Sequence, residues 1–266
     1  MSFADATAVE QLSERTWTGH IAPGWSIFEN ANGGYLMAMV ARAMSESVDG
    51  RLPASVTAHF TRPGKPGPVT IEVEALRSGR TFSTVRANLS TDDRLILSAL
   101  GSFSDRGREP RPSTFVDGSA PDLPPPDECV LMVPSTTGPL PPPLMGKVEE
   151  RLHPDDAAAL EGNRTGVARV RGWIRLKDEE PLDTFALLMA ADAFPPAVFN
   201  TNIPLAWTPT LELTTHVRGS EMGGWLRCQF STRFVTGGYL EEDGEVWDTD
   251  GSLLAQSRQL ALVPSG

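Results

Sequence analysis

Two halves of this chain carry the same landmarks at a nearly constant offset. His59 and His216 stand 157 residues apart, Leu97 and Leu254 also 157, and Gly79 and Gly237 158. A duplication restricts the fold to something that can be built twice and joined, so it precedes every other reading. The first half has a short strand signal, TWTGHIA, then an apolar helix signal at residues 33–47, GGYLMAMVARAMSES. Strand signals follow at 55–60, 69–76, 81–89 and 95–103. The second half repeats the order, with VARVRGWIRL (167–176) alternating as a half-buried strand does, and LDTFALLMAADAF (182–194) as the helix signal. Further strands are predicted at 210–217, 225–235, 244–250 and 253–263. Both helix signals lack a polar face, which predicts buried helices with a sheet wrapped around them.

Between Asp105 and Leu144 the composition changes, with eleven of the 23 prolines falling there. Proline lacks an amide hydrogen and fixes φ, so helix and sheet interiors are disfavoured. The expected organisation is an N-terminal unit at 1–104, a proline-rich connection at 105–146 and a C-terminal unit at 147–266.

Several function classes are disfavoured. The net charge is −11 and no Lys/Arg run would track a phosphate backbone, so nucleic acid is not an expected partner. No apolar stretch reaches the ~20 residues of a membrane span, and the first residues lack the pattern of a secretory signal. Cys129 and Cys228 have no metal spacing, and His20, His59, His153 and His216 form no H-x-x-x-H. No metal or cofactor is expected, and a cytoplasmic location is the simplest expectation.

Residues 185–199 read FALLMAADAFPPAVF, in which Asp192 is the one residue that is not apolar. A buried carboxylate without partners costs several kcal/mol or takes up a proton. Near the C-terminal end of its own helix it also opposes the helix dipole. Asp192 is therefore a candidate functional residue.

Order and spacing together carry a resemblance. NANGGYLMAMVARAM, HFTRPGKPGPVTIEVEALRSGRTFSTV and SALGSF in the first half, with MAADAFPPAVF, WTPTLELTTHVRG and LLAQSRQLAL in the second, resemble the double-hotdog acyl-CoA thioesterases. That is the family of bacterial thioesterase II and its actinobacterial relatives. The resemblance implies an α+β double hotdog: two tandem β-α-β4 repeats, with an antiparallel sheet wrapped around two long buried helices. It also implies an acyl-CoA substrate and a homodimer. In the thioesterase II type an Asp on the second helix, a Thr or Ser opening the next strand and a Gln on the last strand are implicated in hydrolysis. Those roles fall on Asp192, Thr210 and Gln259. Where that type has an Asp-His pair after the Thr, this chain has Glu212 and Leu213.

No G-x-S-x-G elbow is present, so direct attack by water on the thioester is the preferred mechanism. Asp192 would be the base, with Thr210 and Gln259 holding the water. Backbone amides of Gly33 and Gly34 at the start of the first helix are candidate oxyanion donors. Asn32 and Tyr35 beside them, and Arg62 and Arg80 for the coenzyme phosphates, are candidate substrate-binding residues. Asp192 alone has the alternative of a helix terminator, and Thr210 and Gln259 that of ordinary strand residues. The alternation around Gln259 leaves open which face of its strand points inward. Two rival functions stand beside the thioesterase. One is a non-catalytic acyl-CoA-binding hotdog protein. The other is a hotdog hydratase or dehydratase, for which HPDD at 153–156 is the only His-Asp neighbour.

Overall fold

A computed structural model describes residues 1–105, 115–138, 140–219 and 221–263. Its strands in the main sheet are β1 (Val9–Ser13), β2 (Thr16–Ile21), β3 (Leu52–Phe60), β4 (Gly67–Ser78), β5 (Phe82–Thr91), β6 (Arg94–Ser104) and β7 (Val130–Leu131). The sheet continues with β8 (Val148–Leu152), β9 (Arg169–Leu176), β10 (Thr210–Val217), β11 (Leu226–Ser231), β12 (Val235–Thr236), β13 (Tyr239–Trp247) and β14 (Leu253–Leu262). The spatial order is β1-β2-β4-β5-β6-β3-β10-β14-β13-β11-β9-β8-β7, with β12 paired to β13. Read from its middle, this order runs through the two halves in mirror sequence.

The middle is the seam between β3 and β10, which pair antiparallel. Thr57 stands opposite Thr214, and their hydroxyls are 2.8 Å apart. These two residues differ by 157 positions, the offset of the duplication. His59 faces Glu212 and Ser55 faces His216, equally far on either side. Both histidines are exposed on the outer face of the sheet.

Helix α1 (Gly33–Glu46) follows the predicted range closely. Asn32 caps it, accepting a hydrogen bond from the Tyr35 amide at 2.8 Å. Met37, Met39, Val40 and Met44 are fully buried against the sheet. Each such side chain contributes about 1.5–3 kcal/mol of burial. The one basic residue on the helix, Arg42, is matched by Asp183 at 2.6 Å and by the Phe185 ring, whose centroid lies 4.5 Å from the guanidinium.

The expectation of two long helices fails in the second half. Helix α2 covers only Ala186–Ala190, where the pattern predicts 182–194. Residues Leu182–Asp183 are extended and pair with Glu221–Met222. Asp183 then accepts from the Ala186 amide at 2.7 Å, which starts the helix late. Downstream, Pro195 offers no amide and its ring disfavours helical φ/ψ at Phe194.

The proline-rich stretch is more than a connection. It supplies β7 at one end of the sheet, and Leu144 and Met145 are buried in the core. The Trp173 indole donates to the Pro124 carbonyl at 2.9 Å. Among the described residues, no helix is long and apolar enough to cross a membrane.

Candidate active site

The short α2 delivers Asp192 to the start of α1. The Asp192 Oδ2 atom accepts from the Gly34 amide at 2.8 Å and from Asn32 Nδ2 at 2.9 Å. Asn32 Nδ2 also donates to the Asp192 carbonyl at 2.7 Å. The carboxylate thus opposes the dipole of its own helix but sits at the favourable positive end of the longer one. The approach is possible because residue 34 has no side chain. A Cβ on Gly34 would stand 2.4 Å from the Leu188 carbonyl oxygen and 2.9 Å from Met189 Cα.

Burial pushes the Asp192 carboxyl from 3.8 up to about 6, while the Gly34 amide, the Asn32 side chain and the Gly33 amide pull it down. The group is therefore mostly ionised at neutral pH yet more basic than a surface aspartate.

Thr210 opens β10 and Gln259 lies on β14, with Gln259 Nε2 donating to Thr210 Oγ1 at 2.6 Å. Ala255, Ser257, Gln259 and Ala261 form the inward face of β14, which resolves the alternation the sequence left open. Asp192, Thr210 and Gln259 line one pocket, enclosing about 970 Å³ including its open mouth. Its walls are mainly apolar, with Phe194 and Phe230 stacked at 5.1 Å between centroids. That aromatic pair occupies space left by two glycines on the inner face of the sheet. A Cβ on Gly172 would lie 2.9 Å from the Phe194 ring, and one on Gly244 2.5 Å from Phe230. At the mouth, Phe28 meets Trp207 edge to face at 5.7 Å. Leu140, Pro141 and Met145 bring the proline-rich stretch into the wall.

Other expected site residues are placed differently. The Gly34 amide bonds the Asp192 carboxylate, so it is not a free donor for an oxyanion, and the Gly33 amide acts on the same carboxylate. Asn32 lines the pocket, but its side chain is committed to Asp192 and to the Tyr35 amide. These bonds hold the carboxylate in place. Tyr35 is a core residue: its hydroxyl donates to the Ala6 carbonyl at 2.7 Å and accepts from the Ala22 amide at 3.0 Å. Its ring stacks on Trp25, and burial pushes its hydroxyl up to about 12. Tyr35 does not line the pocket, because its position on α1 points it into the first half's core. Arg62 and Arg80 are exposed and also lie outside the pocket. Arg62 donates to the Leu95 carbonyl at 3.1 Å, and Arg80 sits in the β4–β5 turn. Of the basic residues near the RPGK motif, Lys65 comes nearest, lining a groove that shares Phe28, Pro141 and Trp207 with the pocket mouth.

The HPDD segment does not form a catalytic pair. His153 caps the short helix Pro154–Ala157, and Asp156 is held by Arg171 at 2.9 Å. Neither lines the pocket.

Two acids in the pocket wall escaped the sequence reading. Glu242 on β13 stands opposite Gln259 and accepts from the Ala197 amide at 2.6 Å. Burial pushes its carboxyl from 4.5 up to about 8, opposed by the Ala197 amide and reinforced by the charge of Asp192. Glu150 on β8 is 1 % exposed, and its Oε2 has no hydrogen-bond partner among the described residues. Burial raises its carboxyl well above the ordinary range. The available signal was two-residue alternation: Glu150 shares a face with Val148 and Leu152, and Glu242 with Leu240, Gly244 and Val246.

Comparison with known proteins gives a consistent picture. The profile of the acyl-CoA thioesterase N-terminal domain matches residues 21–104, and that of the acyl-CoA thioesterase C-terminal domain matches residues 126–263. A structure from Thermobifida fusca, designated a candidate thioesterase II, is 32% identical with a TM-score of 0.86, covering 99% of this chain and 97% of that one. A protein of unknown function with a hot dog fold from Alicyclobacillus acidocaldarius is 26% identical with a TM-score of 0.83, covering 99% and 98%. An uncharacterized protein of Mycobacterium tuberculosis is 26% identical over 277 residues, 94% of this chain and 92% of its own length.

Proposed function

From the premise that this chain belongs to the acyl-CoA thioesterase family, we propose that it hydrolyses a fatty acyl-CoA by direct attack of water. One observation carries the reading: the Asp192 carboxylate opens onto the same pocket as the Thr210–Gln259 pair. Water held by Thr210 and Gln259 gives a proton to Asp192 as its oxygen bonds to the thioester carbonyl carbon. Collapse of the tetrahedral species breaks the carbon–sulfur bond. The proton on Asp192 then passes to the departing thiolate, so that free acid and coenzyme A leave. With the Gly34 amide engaged, donors for the oxyanion come from the Thr210 hydroxyl and the second Gln259 amide hydrogen. The apolar wall around Phe194 and Phe230 receives the acyl chain. Lys65, which lines the outer groove and pairs there with Glu29 at 3.3 Å, is the cation proposed to meet a coenzyme phosphate.

We also read the protein as a homodimer, since the sheet ends in β1 and β7 and such edges favour covering.

The test is thiol release from acyl-CoAs of graded length by the wild type and by Asp192→Asn. A loss of two orders or more in kcat supports Asp192 as the base. Undiminished turnover in the variant keeps the thioesterase and removes Asp192 from its mechanism. Acyl-CoA binding with no turnover at any length would assign the chain a binding role instead.

A further inference from the structure

The proposed reaction uses Asp192 and leaves Glu150 without a task. Glu150 is nevertheless a conspicuous expense. Its strand neighbours on the same face, Val148 and Leu152, are buried and apolar, and across β9 it faces Ile174. The Cys228 thiol lies close enough to feel its charge. No Lys or Arg lines the pocket, so no cation there compensates a carboxylate. Replacing this side chain with an aliphatic one would satisfy the sheet better.

The pocket supplies the reason for its presence. Glu150 and Asp192 line the same cavity, whose wall also includes Phe194, Phe230, Met132 and Met145. An acyl chain whose thioester sits at Asp192 runs through that apolar section and brings its more distant carbons toward Glu150. A plain alkyl chain would bury the orphaned Oε2 more deeply still. A chain bearing a hydroxyl at the right carbon would satisfy it. In its protonated form, which burial favours, the carboxyl group has one O–H to donate and one oxygen to accept, which matches an alcohol. Val148, Leu152 and Ile174 around Glu150 offer no side-chain oxygen that would help it hold an ammonium group.

We propose that Glu150 is a specificity-determining residue that recognises a hydroxyl borne on the acyl chain, so that the pocket selects hydroxylated acyl thioesters over plain ones. This rests on the thioesterase reading of the same pocket.

The experiment compares kcat/KM for matched pairs of CoA thioesters, saturated and monohydroxylated at successive carbons, in the wild type, Glu150→Gln and Glu150→Leu. The wild type should favour the hydroxylated partner at one region of the chain by about tenfold or more, the scale of a buried polar group left unpaired. Glu150→Gln should retain part of that preference. Glu150→Leu should invert it, gaining on plain chains, and should melt at a higher temperature because an unpartnered buried acid is gone. An unchanged hydroxyl-to-plain ratio in Glu150→Leu, or in Glu150→Gln and the wild type alike should the leucine variant not fold, overturns the proposal and leaves the thioesterase standing. If the wild type hydrolyses no thioester, the thioesterase reading fails separately. Glu150 is then judged by calorimetry with free hydroxylated and plain fatty acids, where equal dissociation constants for the wild type overturn it.

Discussion

At the scale of single residues, the molecule is organised by acids shielded from water, with Asp192 half-buried and Glu242 and Glu150 buried. Asp192 is partnered, Glu242 is half-partnered by one amide, and the Oε2 atom of Glu150 has no partner among the described residues. The first was legible from the sequence because a lone carboxylate in an apolar run demands explanation. The others were hidden in segments rich in charge, VEERL and YLEEDGEVW, where one glutamate among several reads as solvent-facing. The raised value at Asp192 has two consequences. A base must be deprotonated to act, so kcat/KM should rise with pH through about 6 and flatten above it. For stability the sign is opposite. The native chain holds the Asp192 proton more tightly than the unfolded chain, so this group's contribution declines as pH rises from 3.8 through about 6. By pH 7 the difference is on the order of 3 kcal/mol. Asp192→Asn removes that cost while an amide oxygen can still accept from Gly34 and Asn32. Denaturation should therefore find the inactive variant at least as stable as the wild type at pH 7, and closer to it at pH 5. A variant that is inactive because it is unfolded would sink the assignment.

At the scale of elements, the first half was readable and the second was partly misread. Helix α1 obeys its own sequence: an Asn cap, an unbroken apolar run and no internal breaker. Helix α2 does not, because the Asp183 bond to the Ala186 amide and the Pro195–Pro196 pair confine it to a little over one turn. Strand β8 was missed since its five residues, VEERL, hold three charges, although its buried face includes Glu150. The junction of the two helices was also beyond sequence reasoning, which assigned the Gly33–Gly34 amides to the substrate. Close helix contact assigns the Gly34 amide to Asp192. Intrinsic propensity would favour alanine over glycine at position 34. Packing forbids it, since the added carbon meets backbone atoms of Leu188 and Met189, which cannot rotate away. Gly34→Ala should lose about 1–3 kcal/mol and lower kcat by displacing Asp192 from its amide. Gly223→Ala, whose Cβ meets nothing within 4 Å, serves as the control. Equal melting temperatures and equal kcat for the two variants would refute the close-packing account.

At the scale of the whole molecule, the duplication and the site explain each other. The offset of 157 was visible in the sequence, and it reappears as the Thr57–Thr214 contact at the centre of one continuous sheet. Spacing alone did not show that the halves join edge to edge, because either terminal strand of each half could have met the other. The seam brings the end of α2 against the start of α1, and the site is assembled from both sides of it. Asn32 and Gly34 come from the first half, while Asp192, Thr210 and Gln259 come from the second. The duplicated units are thus structurally similar but chemically unequal. Only the second carries the Asp192 carboxylate, and only the first offers the long helix whose amino end holds it. Separately produced pieces covering residues 1–114 and 115–266 should each lack hydrolase activity and expose apolar surface, since each loses the β3–β10 pairing and the α1–α2 contact. The second piece keeps the 115–146 stretch because β7 pairs with β8 and Pro124 receives the Trp173 indole. Co-production should restore both activity and a one-to-one complex, measured by thiol release and by sedimentation. Thioester hydrolysis by residues 115–266 alone at the intact protein's rate would show that Asp192 needs neither Asn32 nor Gly34, and the shared-site account would fall with it.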